Sequence, residues 1–100
     1  MVQKVVWSDG ALRTFDNALQ YLERDFSKAE IEKFTDKISQ KLLLVQLNPR
    51  LGRKVDNRSN TYKTVINKRI VPYYKYKPLK KEIFLLSFWN TLQNPEKLKI

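Results

Sequence analysis

Tyr62 to Trp89 reads YKTVINKRIVPYYKYKPLKKEIFLLSFW, and this run decides the fold. Tyr62, Thr64 and Ile66 alternate with Lys63 and Val65, the period of two expected of a half-buried strand. Asn67-Lys68 reads as a tight turn, though without glycine. Arg69 to Lys77 forms a second strand, aromatic and basic, in which Pro72 predicts a bulge or an unpaired backbone position. Pro78-Leu-Lys-Lys81 is the next turn. Ile83 to Trp89 is almost continuously apolar, the pattern of a strand covered on both faces. Three consecutive strands joined by short turns make an antiparallel meander.

Toward the N terminus the period becomes helical. Ser27-Lys-Ala-Glu30 fits a capping box, Ile31, Phe34, Ile38, Leu42 and Val45 form the apolar stripe, and Asn48-Pro49 stops the helix. In the preceding helix Ser8 is the N-cap, Asp9 favours the first turn, and Leu12, Phe15, Leu19 and Leu22 recur on one side. Only Asp25 to Ser27 separate the two helices, so they fold back as an antiparallel hairpin. Val2, Val5, Val6 and Trp7 suggest a short first strand. Residues 48–61 have the polar, turn-rich composition of a loop, and Asn94-Pro95 ends the last strand. The expected fold is α+β, one domain over residues 1–100. An N-terminal strand and a helical hairpin pack with a sheet completed by the C-terminal three-stranded antiparallel meander, the hairpin on one face.

Charge divides the chain in two. Residues 1–47 carry seven Lys/Arg and seven Asp/Glu, whereas residues 48–100 carry thirteen Lys/Arg against Asp56, Glu82 and Glu96, so the whole net charge of +10 lies in the second half. A neutral scaffold joined to a basic surface predicts an anionic partner. Cysteine and histidine are both absent from the 100 residues. That removes disulfides, thiolate chemistry, the commonest metal ligand and the usual general base, and no cofactor or metal is implied. No apolar run approaches the roughly 20 residues that cross a bilayer, and the start is too interrupted for a signal peptide, so a soluble cytoplasmic protein is expected.

The basic residues fall into three groups. Arg50, Arg53, Lys54 and Arg58 lie in the 48–61 loop; Lys63, Lys68 and Arg69 flank the first hairpin turn; Lys75 and Lys77 lie in the strand Tyr73-Tyr-Lys-Tyr-Lys77. On that strand, alternation puts Arg69, Val71, Tyr73, Lys75 and Lys77 on one face, and Ile70, Pro72, Tyr74 and Tyr76 on the other. A cationic face with a central tyrosine suits phosphates and stacked bases. Cleavage of a phosphodiester without histidine would need lysine, arginine or tyrosine to move protons and stabilise the anionic transition state. Tyr74 and Tyr76 are also natural core residues of a strand.

The order of these elements, with Trp7-Ser8, Asn48-Pro49, Gly52, Tyr62-Lys63, the strand to Trp89, Gln93-Asn-Pro95 and Lys97-Leu98, resembles the RelE/ParE superfamily of type II toxin–antitoxin toxins, also called plasmid-stabilisation proteins. The resemblance implies a toxin silenced by a cognate, often acidic, antitoxin. RelE-like members cut mRNA in the ribosome, and ParE-like members act on DNA gyrase. In a RelE-like chain, Lys54, Arg69 and Tyr73 or Tyr74 would be the catalytic candidates. Leu92 stands where the family often has arginine just before the Gln-Asn-Pro string, and Asn67 stands where RelE-like members can be basic. Both favour the ParE-like, non-nucleolytic branch, with a ribosome-dependent mRNA interferase as the alternative. An inactive toxin-like domain that binds nucleic acid is a third reading.

Overall fold

The computed structural model describes residues 3–66 and 69–91. Chain order is β1 (Lys4–Trp7), α1 (Asp9–Asp25), α2 (Lys28–Leu47), β2 (Arg53–Lys54), β3 (Thr61–Lys63), β4 (Ile70–Lys77), a short 3-10 turn (Pro78–Lys80) and β5 (Glu82–Asn90). Both helices begin where their capping residues stand. Ser8 Oγ accepts from Ala11 N at 2.9 Å. At α2 the box is reciprocal: Ser27 Oγ accepts from Glu30 N at 3.2 Å, and the Glu30 carboxylate accepts from Ser27 N at 3.1 Å.

The five strands form one sheet in the order β1-β5-β4-β3-β2. The β3-β4-β5 meander is antiparallel as expected, but the sheet as a whole is mixed, because β1 pairs parallel with β5. The helical hairpin makes this possible by returning the chain to the far side of the sheet before the meander starts. A second difference is β2, which lies inside the stretch read as loop and adds an edge strand against β3. The composition of 48–61 is that of a turn, and two paired residues leave no periodic trace. The first meander strand is also shorter than its alternation suggested, ending at Lys63.

A bulge shapes the middle of the sheet. Tyr73 pairs with Ser87 and Tyr74 with Leu85, so Leu86 is the extra residue on β5. The inward positions therefore change parity: Ile83 and Leu85 are buried before it, and Phe88 after it. The backbone groups it displaces are taken up by α1. Ser8 Oγ donates to Leu86 O at 3.1 Å, and Thr14 Oγ1 accepts from Phe88 N at 2.8 Å while donating to Gly10 O at 2.6 Å. The irregularity expected at Pro72 thus falls one pair further along and on the partner strand. Pro72 O accepts from Thr64 N at 3.1 Å, one residue past the end of β3, so Pro72 meets that neighbour as an acceptor and supplies no N–H in return.

The core lies between the sheet and the hairpin, where Leu22, Phe34, Ile38 and Val45 meet Tyr62, Ile70, Tyr74, Ile83, Leu85 and Phe88. Trp7 stacks on Phe88 with centroids 5.2 Å apart, and Phe15 meets both rings. The opposite face of β5 is only half-buried at Phe84 and Trp89, so it is less covered than its apolar run suggested. Among the described residues, no helix is long and apolar enough to cross a membrane.

Candidate anion-binding face

The sheet face turned away from the helices carries a row of side chains set by strand register. Arg53 on β2 is opposite Lys63 on β3, Lys63 is opposite Tyr73 on β4, and Tyr73 is opposite Ser87 on β5. Residues directly opposite share a face, so the four project the same way. A concavity of about 580 Å³ opens over this row, lined among others by Arg53, Lys63, Tyr73, Val71 and Trp89.

Two like charges directly across a ladder are destabilising, and Arg53 and Lys63 occupy such a pair. An anion between them would convert that repulsion into two attractions. Tyr73 adds a hydroxyl whose pKa is pushed up by burial, so it stays protonated at neutral pH and can donate. The chemical capacity of the row is therefore to hold an anionic oxygen between a guanidinium, an ammonium and one neutral hydroxyl donor. Lys75, opposite Thr61 and Phe84, extends the same face.

The other sequence candidates lie elsewhere. Lys54 is opposite Tyr62 and so belongs to the other side of β2. Arg69 sits over the Tyr21 ring of α1, 5.8 Å from its centroid, and its Nη1 donates to the Tyr21 hydroxyl. Arg50 lies over the Tyr76 ring at 5.1 Å. Lys77 lies over Phe84 at 4.3 Å and pairs with Glu82 at 3.9 Å. Arg58 is exposed in the loop between β2 and β3. Lys68, Asn67 and the whole string from Leu92 through Lys97-Leu98 lie outside the described residues.

Tyr73 and Tyr74, adjacent on β4, face opposite ways. Tyr74 is 1% exposed, and its ring stacks on Tyr62 with centroids 5.5 Å apart. Its hydroxyl donates to Pro49 O at 2.9 Å and accepts from Gly52 N at 3.0 Å. Burial pushes its pKa up, with the Gly52 N–H opposing and Tyr62 adding to the rise. It is a core residue whose ring lies on the covered face and whose hydroxyl is engaged by the 49–52 segment that leads into Arg53.

Sequence reasoning found Arg53, Lys63 and Tyr73 but did not group them, and it missed Leu51, Thr64, Val65 and Trp89 as lining. The alternation that placed Val71 and Tyr73 on one face was the available signal; carrying it across to Trp89 required the register of the bulged strand.

No family model matches the sequence, and no curated protein matches it. Solved structures do share the fold. The intact RelBE toxin–antitoxin complex of E. coli contains a chain that superposes with a TM-score of 0.64 at 18% identity, covering 88% of this chain and 95% of that one. The YoeB dimer from Staphylococcus aureus gives 0.63 at 19% identity, covering 89% and 97%. A YoeB/ParE toxin from Agrobacterium tumefaciens gives 0.62 at 12% identity, covering 87% and 96%. The fold is thus that of the RelE, YoeB and ParE-type toxins, as the order of sequence elements implied.

Proposed function

We propose that this chain is the growth-inhibiting toxin of a toxin–antitoxin pair, and that it holds its target on the open face of the sheet. The opposed Arg53–Lys63 pair beside Tyr73 carries this reading, because such a row is costly alone and favourable with an anion in place. The net charge of +10 suits an acidic antitoxin, since complementary charge speeds and orients association. The shared fold with a toxin solved in complex with its antitoxin points the same way.

Binding without cleavage, in the manner of the ParE-like branch and directed at DNA gyrase, is the preferred mode. Among the described residues the row offers cations and a protonated tyrosine but no group suited to accept a proton near neutral pH. Arg69 and Lys54, which a nuclease reading would enlist, stand apart from Tyr73. The second reading, a ribosome-dependent mRNA interferase, is favoured by the same row in another role. Arg53 and Lys63 could stabilise a pentavalent phosphorane, and Tyr73 could donate to the leaving oxygen.

One experiment separates these readings: induce the chain alone, then map new mRNA 5′ ends and assay gyrase supercoiling with the purified protein. Loss of supercoiling with unchanged messages supports the first reading. New 5′ ends that vanish with Tyr73→Phe support the second. Unimpaired growth, with neither effect, overturns the toxin assignment.

A further inference from the structure

We infer that Tyr74 is a positioning residue for the anion-binding row: from the covered face, its hydroxyl fixes the loop that delivers Arg53 to the open face. The inference rests on the open-face reading above. Little else holds β2, which lies at the edge of the sheet. That strand has two residues, Arg53 and Lys54, and both are exposed. On one side it has only β3, Val55 N just past it donates to Thr61 O at 2.8 Å, and beyond that bond the chain enters an exposed loop whose Asn57 and Asn60 adopt φ of 63° and 51°. Ladder pairing over two residues gives weak local stability, so the placement of Arg53 depends on how the chain enters the strand.

The entry is built around Tyr74. After α2, Leu51 N donates to Asn48 O at 2.9 Å, turning the chain toward the sheet. The Tyr74 hydroxyl then uses its donor on Pro49 O and an acceptor site on Gly52 N, bridging the two ends of the 49–52 segment. Gly52 is wedged: a Cβ there would lie 2.7 Å from Lys63 O and 2.8 Å from the Tyr74 hydroxyl. The next residue is Arg53, opposite Lys63. The phenol is a firm post, since its ring is buried and stacked on Tyr62. Two neighbouring tyrosines thus serve one row from opposite faces: Tyr73 lines it, and Tyr74 sets the chain that supplies its outermost cation.

Tyr74→Phe removes one oxygen and keeps the ring, and it tests the inference on two levels. On the first, amide hydrogen exchange of the free protein should show faster exchange at Gly52 and Val55, while α1 and the β4–β5 ladder keep their protection. Unchanged protection at Gly52 and Val55 overturns the inference. On the second, oligouridine serves as a polyanion probe, with affinity measured against salt concentration. Arg53→Ala should weaken binding about tenfold and lower the salt slope by about 0.7. Tyr74→Phe should weaken binding several-fold, and the double variant should bind no more weakly than Arg53→Ala alone, because the tyrosine acts through the arginine. Additive losses would overturn the positioning role even if exchange changed, since a merely structural contribution is indifferent to Arg53. If the wild-type chain binds oligouridine with no salt dependence, or Arg53→Ala binds like wild type, the open-face reading itself fails and takes the inference with it.

Discussion

The same strands present two unlike faces. On the helix side, Ile70, Tyr74, Ile83, Leu85 and Phe88 are sealed under the hairpin, and the displaced backbone groups of the β5 bulge are met by α1 hydroxyls. On the open side, Arg53, Lys63 and Tyr73 line a concavity, and two of them are like charges in direct opposition. One face is arranged for its own stability. The other carries a local conflict that folding alone does not need, and the proposed binding role rests on that conflict.

The comparison breaks first if the covered face tolerates damage. Leu85 is fully buried, and Leu85→Ala should cost about 2–5 kcal/mol, read as a shift in the denaturant midpoint with m unchanged. A loss well under 1 kcal/mol would mean that the hairpin does not seal the sheet. Next in size is Thr14, which bridges Gly10 O and Phe88 N. Thr14→Val keeps the shape and leaves Phe88 N unmet, at a cost of about 1–3 kcal/mol. Amide exchange at Phe88 should accelerate ahead of its neighbours; uniform exchange would show that the bulge is held by other contacts.

Alkaline pH compares the two tyrosines directly. Both Tyr73 and Tyr74 have folded-state pKa values raised by burial above the ordinary value of 10.0. The unfolded chain therefore loses these protons first. Their contribution is fully present below pH 10.0 and is lost as pH rises through the folded values, so stability should fall on the alkaline side. Tyr74→Phe and Tyr73→Phe should each flatten that limb, measured as unfolding free energy against pH. An alkaline limb identical to wild type in both variants would show that neither hydroxyl is buried in solution.

Much of the covered face was legible in the sequence, because burial imposes period and capping imposes chemistry. Ser8, the Ser27–Glu30 box and the stripe through Phe34, Ile38 and Val45 all stand where their spacing put them. The alternation of β4 separated Tyr73 from Tyr74 correctly. What was illegible depends on contacts far apart in sequence. The parallel β1–β5 pairing leaves no local mark, and β2 is too short to show a period. The position of the bulge follows from α1 hydroxyls about 74 to 78 residues away. Arg69 looked like a member of the strand's cationic face, yet Tyr21 on α1 provides it with a ring and a hydroxyl.

The smallest expected effect sharpens the comparison most, because its sign differs from the others. If Arg53 and Lys63 repel across β2–β3, then Lys63→Gln should stabilise the free protein at low salt by about 0.2–1 kcal/mol, although it removes a native side chain. Raising the ionic strength should erase the gain, since exposed charges are screened within about 10 Å at 0.1 M salt. The same substitution should weaken growth inhibition on induction, because it takes away one of the two cations. Stability rising while function falls is the signature of a site held against a folding cost. A variant that is destabilised at low salt, or stabilised equally at every salt concentration, would mean that the pair is not in electrostatic conflict. The open face would then be an ordinary solvated surface, and the target would have to be sought elsewhere on the chain.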